Sequence, residues 1–229
     1  MNSGKTVQQK EEEILKFWKK NKVYEKSKKL RSKGKKFYFL DGPPYATGYI
    51  HTGTAMNKVL KDYFIRFFRM KGLDVRDQPG YDTHGLPIEN KVEKKLGFKT
   101  KADIENFGIE NFNKECRAFA TEFIDVMNNQ FWNMGVWMDW KNPYLTLNNE
   151  YIEGAWHTFK EAFKRGFLYS GKYPVHVCCR CATAVAYNEI EYEKVTDNSI
   201  FVKFQIKGNP KNSFLYGLQP PGRCREIQE

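Results

Sequence analysis

With 229 residues, 41% of them hydrophobic and 16% aromatic, the chain can bury a substantial core, which excludes a disordered or low-complexity protein. Its 38 basic against 27 acidic side chains give a net charge of +11, a balance that suits a polyanionic partner. No apolar run reaches about 18 residues, so no membrane span is expected. The opening MNSGKTVQQKEEE has no apolar signal core, and five cysteines, three of them in CCRC, do not resemble an extracellular disulfide framework. A cytoplasmic protein with no membrane association is the expectation.

Residues 7–23 read as an amphipathic helix, with Ile14, Leu15, Phe17, Trp18 and Val23 on one stripe. The lysine-rich stretch to Lys36 reads as a surface connection. FYFL (37–40) is short and wholly apolar, the pattern of a buried strand. DGPPYATG breaks all regular structure. A helix is expected from about Gly53, ended by Gly72. Met56, Leu60, Phe64 and Phe67 make its apolar stripe, and Lys58, Lys61, Arg66 and Arg69 lie elsewhere on it. LDVRDQPGYD (73–82) reads as a strand and then a loop. Strand, helix and strand at this spacing predict a parallel unit with a right-handed crossover.

Further helices are expected over 88–95, 101–108, 109–134 and 149–166. The third is long, with Phe119, Phe123, Val126 and Phe131 inward, and WMDWKNPYLT (137–146) reads as a loop after it. Beyond Gly171 the character changes to short β-rich segments, YPVHVC, AVAYNEIEYEK and SIFVKFQI. A domain boundary is expected near 168–172.

The stretch GPPYATGYIHTGT (42–54) carries the chemistry. A strand, a glycine-rich turn and a helix N-terminus form an anion site, because free backbone N–H groups and the helix dipole both favour phosphate. The Lys-Ser/Thr ending of a Walker loop is absent, and so is Gly-x-Gly-x-x-Gly. His51 can donate to a phosphate oxygen as charge builds there. It can equally cap the helix or sit in the core, and the residues alone leave this open.

GPPYATGYIHTGTAMNKVLKD, RMKGLDV and PGYDTHGLPIENKVEKKLG together resemble the class I aminoacyl-tRNA synthetases, and their isoleucyl branch in particular, from about residue 10 to 208. The family signature His-Ile-Gly-His stands here as HTGT. His51 and Gly53 match it, while Thr52 and Thr54 depart. A threonine hydroxyl can donate one hydrogen bond but carries no charge. The resemblance implies an α/β fold with a parallel sheet: an N-terminal helical extension (1–36), the first half of a class I Rossmann-type catalytic domain (37–170), and the β-rich root of an inserted editing domain (171–215). It implies catalytic roles for His51, Gly53 and Thr54, and ATP contacts from Pro44, Tyr45, Gly48, His51, Gly53 and Thr54. Gly42 and Pro43 would line the amino-acid pocket, where Asp82 would pair with the substrate ammonium. A turn-capping Asp82 is the alternative.

GYDTHGLPIE (80–89) and NMGVWMDWKNPYLT (133–146) favour the isoleucyl branch over the leucyl and valyl ones. The implied reaction joins ATP, with Mg2+, to isoleucine as an adenylate, releases pyrophosphate, and passes the acyl group to a tRNA. A monomer is expected. The rival readings are a non-catalytic tRNA- or nucleotide-binding fragment, and a zinc-dependent nucleic-acid-binding module resting on CCRC and the charge.

Cys178 and Cys181 have the spacing of one zinc knuckle, two ligands where a structural zinc takes four. Cys179 is a bystander and His176 a candidate third ligand; free thiols or a redox pair are the other readings. Related synthetases carry a knuckle here and a second cysteine pair after the editing domain, so a zinc half-site is expected. The family's second signature, Lys-Met-Ser-Lys-Ser, is absent, and the chain alone is expected to be incomplete for catalysis. The ending YGLQPPGRCREIQE (216–229) stands where the family has Trp-Thr-Thr-Thr-Pro-Trp-Thr-Leu-Pro. Each codon's third base, read with the first two of the next, allows that run in order. A frameshift near Leu215 is the expectation.

Overall fold

The computed structural model describes residues 4–192, 194, 200–218 and 225–226. It divides between Tyr169 and Ser170 into two units. Most of the tail expected to be out of frame, 219–224 and 227–229, lies outside the described residues.

In the first unit, helix α1 (Val7–Asn21) starts on a capping box: Thr6 accepts the Gln9 N–H and the Gln9 side chain accepts the Thr6 N–H. Lys22, in the left-handed region, turns the chain into α2 (Val23–Arg31). The lysine run expected as a connection is therefore mostly helical. Lysine and leucine are good helix formers, so the run has the propensity even without an apolar stripe. Trp18 on α1 packs edge-on against Trp137 at 5.0 Å, and the Arg66 guanidinium lies 4.1 Å from the Trp137 ring centroid.

Strand β1 (Lys36–Tyr38) pairs in parallel with β2 (Asp74–Arg76) across α3 (Thr52–Met70), which meets the expectation of a parallel unit. FYFL is not buried throughout: Phe37 and Phe39 are half-buried, whereas Tyr38 and Leu40 face outward. The side chains alternate between the two faces of the strand, and only one face meets the core. A second parallel pair follows, β3 (Gly80–Tyr81) with β4 (Tyr144–Leu145). The stretch 137–146, expected as a loop, thus ends in a short strand.

Helix α3 presents the reverse of the expected face. Ile65, Lys58 and Arg69 are buried, while Met56, Leu60, Phe64 and Phe67 are exposed. The buried cations meet carboxylates from other segments: Asp41 pairs with Lys58, and Asp77 accepts from Arg69 at 2.6 Å. Counter-ions make a basic stripe tolerable inside.

Helices α4 (Leu86–Leu96) and α5 (Lys101–Phe107) follow β3. The long helix expected over 109–134 is two, α6 (Ile109–Glu122) and α7 (Ile124–Asn133), interrupted at Phe123 (φ −96°, ψ 0°). The interruption lets α6 pack Phe112 and Ala120 against Ile88 and Val92 of α4. It also lets α7 pack Ile124, Met127 and Phe131 into the main core with Ala46, Ile65, Val75 and Tyr81. Helix α8 (Asn149–Lys164) buries no residue.

The second unit holds a small hairpin of β5 (Val177–Cys178) and β6 (Thr183–Ala184), then β7 (Ile190–Glu191). A longer antiparallel hairpin follows, β8 (Ile200–Ile206) with β9 (Asn209–Leu218). Strand β10 (Arg225–Glu226) pairs with β7. Among the described residues no helix is long and apolar enough to cross a membrane.

Candidate active site

The glycine-rich loop between β1 and α3 is pinned along its length. At its start, the fully buried Asp41 forms ion pairs with Lys58 and Lys61 and accepts the Gly80 N–H at 2.9 Å. The Asp41 carbonyl accepts the Tyr144 hydroxyl. Further on, the Pro44 carbonyl accepts the Asp82 N–H at 2.9 Å, and Tyr45 bridges Asp82 in parallel. Lys91 donates to the Thr47 hydroxyl at 3.1 Å. At the far end the Ile50 N–H donates to Gln130 at 3.0 Å.

Burial pushes the Lys58 ammonium below its ordinary range, against the pull of Asp41 in the other direction. Tyr144 is held in the phenol form: burial first, then the Asp41 charge, pushes it up to about 12.

Gly80 admits no side chain. A β-carbon there would lie 2.1–2.6 Å from the Tyr144 ring. That ring covers Gly80 across the β3–β4 pair, and its plane stacks on Tyr151 at 5.8 Å.

His51 is the N-cap of α3. Its Nδ1 accepts the Gly53 N–H at 3.1 Å and the Thr54 N–H at 3.4 Å. A nitrogen that accepts twice carries no proton, so the neutral ring holds its proton on Nε2. Nε2 lies 2.8 Å from the Thr54 hydroxyl, which accepts it. His51 therefore caps the helix, and it is exposed rather than part of the core. The helix N-terminal amides that would receive an anion are occupied by the imidazole.

Asp82 sits half-buried at the end of β3. Its Oδ1 is 3.2 Å from the Thr146 hydroxyl, and the same hydroxyl is 2.9 Å from His84 Nδ1. Thr146 also accepts the Thr83 N–H at 3.0 Å and faces the Thr83 hydroxyl at 3.2 Å. Thr146 gives its one proton to Asp82 Oδ1, which leaves the His84 contact to a proton on Nδ1. The Asp82 carboxylate keeps acceptor capacity for a cationic donor.

Pro44 and Tyr45 of the loop are thus joined to the backbone of Asp82 in one short parallel bridge. Gly48, His51, Gly53 and Thr54 lie further along the loop and at the start of α3. Sequence reasoning missed Asp41, Lys58, Lys61, Gly80, Tyr144 and Thr146. The signal for the first three was the acid immediately before GPP and the two lysines one helical turn apart in NKVLKD.

Cys178 and Cys181 are both buried, and the Cys181 N–H donates to the Cys178 sulfur at 3.4 Å. The next residue, Ala182, turns left-handed (φ 52°). Among the described residues no group of three His, Cys, Asp or Glu side chains could hold a metal ion. The donor set supplies two thiols and falls short of a four-ligand structural zinc.

A family model described as tRNA synthetases class I (I, L, M and V) matches residues 13–213. Proteins named isoleucine–tRNA ligase from Methanothrix thermoacetophila and Pyrococcus abyssi are 52% and 53% identical over 211 and 214 residues. Each match covers 92% of this chain and 20% of the relative. The chain spans about a fifth of the length of these curated relatives. Among solved structures, a ternary LeuRS–tRNA–LeuAMS complex from Agrobacterium radiobacter matches 79% of this chain and 21% of that one, with a TM-score of 0.55 and 23% identity. That match shows a shared fold.

Proposed function

Because this chain belongs to the class I tRNA synthetases, we propose that it carries the amino-acid and ATP seat of an isoleucine–tRNA ligase. The observation that bears most weight is the juncture of the glycine-rich loop with Asp82, made by the Asp82 N–H to the Pro44 carbonyl. That link ties the backbone of Asp82 to the loop two residues beyond Gly42.

In this reading the Asp82 carboxylate accepts the isoleucine ammonium in charge-assisted hydrogen bonds. Gly42 and Pro43 flank the ligand. The substrate carboxylate oxygen attacks the α-phosphorus of ATP, forming the mixed anhydride as the bond to the pyrophosphate oxygen breaks. Pro44, Tyr45 and Gly48 border the nucleotide. His51, Gly53 and Thr54 stabilise the phosphate charge, which requires the His51 ring to give up its cap on the Gly53 and Thr54 amides. Mg2+ bound with ATP would neutralise phosphate charge. The main work of the chain is orientation rather than covalent chemistry. The acyl group then passes to a tRNA hydroxyl, which loses its proton as the acyl–phosphate bond breaks and AMP leaves.

The basic helices α1 and α2 support an RNA partner. Residues 16–36 carry eleven Lys or Arg against one acid, Glu25. Among the described residues only Lys28 and Lys36 of these form ion pairs. A reduced, cytoplasmic, monomeric protein fits the reading, with Cys116, Cys178 and Cys179 as free thiols. The second unit reads as the root of the editing domain, with Cys178 and Cys181 as half of a zinc knuckle. Residues 216–229 read as translated out of frame; the family match ends at 213.

The test is calorimetry with non-hydrolysable aminoacyl-adenylate analogues. The isoleucyl analogue should bind more tightly than the leucyl and methionyl ones. Equal affinity for all three would refute the assignment to isoleucine, and binding of none would refute the seat.

A further inference from the structure

We propose that Lys61, acting with Asp41, is a positioning residue that ties the Gly42–Pro43 end of the loop to helix α3 and to strand β3. The inference rests on the reading of Gly42, Pro43 and Asp82 as the amino-acid seat. Lys61 Nζ lies 2.6 Å from Asp41 Oδ1 and 3.0 Å from the Gly42 carbonyl. The other oxygen of the same carboxylate accepts the Gly80 N–H at 2.9 Å. The Asp41 carbonyl accepts the hydroxyl of Tyr144, from the strand beside β3. Three separate segments therefore meet on the residue directly before Gly42.

Charge arithmetic argues that Lys61 does more than neutralise. Asp41 has a partner in Lys58, whose side chain is 1% exposed. That pair is neutral without Lys61. The second ammonium leaves the cluster at +2 − 1 = +1 when both lysines are charged. A partly desolvated cation of this kind needs a further acceptor, and the Gly42 carbonyl serves. Its side chain is 17% exposed, so the contact is sheltered from water without being sealed.

The consequence reaches Asp82 by a short path. Gly80 is held by Asp41, Asp82 lies two residues on, and the Asp82 N–H returns to the loop at Pro44. Releasing Gly42 from Lys61 frees one side of this ring of contacts. The gap between the loop and the Asp82 carboxylate is then no longer fixed. The nucleotide-facing end, pinned by Thr47 to Lys91 and by Ile50 to Gln130, is untouched.

Lys61→Met tests this in the 229-residue chain. It keeps the apolar stem and the Asp41–Lys58 pair, so the buried Asp41 loses one of its two ion-pair partners and is still matched by a cation. Two measurements are compared with wild type: calorimetric affinity for ATP and for a non-hydrolysable isoleucyl-adenylate analogue, and hydrogen exchange without ligand. Analogue affinity should fall about 10-fold, the scale of one hydrogen bond from a charged donor, with ATP affinity unchanged. Exchange at the Gly80 and Asp82 amides should speed up. A purely stabilising Lys61 would lower the melting temperature and leave the ratio of the two affinities as it was; that result overturns the proposal. If wild type binds no analogue, the substrate reading fails by itself. The exchange comparison then decides: faster exchange at Asp82 sustains the positioning role, and unchanged exchange overturns it.

Discussion

His51 holds the first turn of α3 together through two backbone amides, and this is as much its role as any contact with phosphate. Removing a side-chain cap of this kind costs about 1 kcal/mol. His51→Ala should lose that amount in a denaturant titration, in addition to any loss of ligand affinity; an unchanged midpoint would show that the cap contributes nothing. Tyr144 offers a pH test. Its phenol is pushed up from an ordinary 10 to about 12, so the folded state holds the proton more tightly than the unfolded one. The contribution is complete below pH 10 and is lost as pH rises towards 12. The stability difference between wild type and Tyr144→Phe should therefore shrink over that window. A difference that stays constant from pH 9 to 12 would mean the phenol is not held.

At the scale of elements, α3 shows where sequence reading works and where it stops. The helix, its start near Gly53 and the parallel strands around it were legible from the apolar run, the glycines and the spacing. Its inward face was not. Lys58, Ile65 and Arg69 share one face, Met56, Leu60, Phe64 and Phe67 another. Both stripes have helical periodicity, and hydrophobicity alone selects the second. The choice was made by Asp41 and Asp77, counter-ions that reach the helix only once β1 and β2 are in place. The same limit hid the interruption at Phe123 and the two-residue strand β4, which exist through tertiary contacts rather than local pattern. In the site, the loop and Asp82 were legible as motifs. The Asp41, Tyr144 and Thr146 contacts that hold them were not, because they join residues up to 103 positions apart. Ile65→Ala should cost about 2–5 kcal/mol, whereas Leu60→Lys should stay within about 0.5 kcal/mol. The reverse order in thermal unfolding would restore the expected face.

For the whole molecule, the charge distribution bears on the proposed RNA partner. Nearly all of the net charge of +11 lies in residues 16–36, which alone carry 11 − 1 = +10. Replacing Lys19, Lys20, Lys26 and Lys29 by Glu should weaken tRNA binding and flatten its dependence on salt, by a log–log slope of roughly 0.9 for each phosphate no longer neutralised. An unchanged slope would remove α1 and α2 from the interface. With no group of three His, Cys, Asp or Glu side chains placed to hold a metal among the described residues, the chain should not retain stoichiometric zinc after dialysis against a moderate chelator; retention would require further ligands. In the proposed site Asp82 receives the ammonium of an amino acid seated against the glycine-rich loop. A double cycle tests it most directly, pairing wild type and Asp82→Ala with an isoleucyl-adenylate analogue and its counterpart lacking the α-amino group. The coupling between carboxylate and amine should be about 1.5–3 kcal/mol; a coupling of zero would mean that Asp82 does not hold the amine.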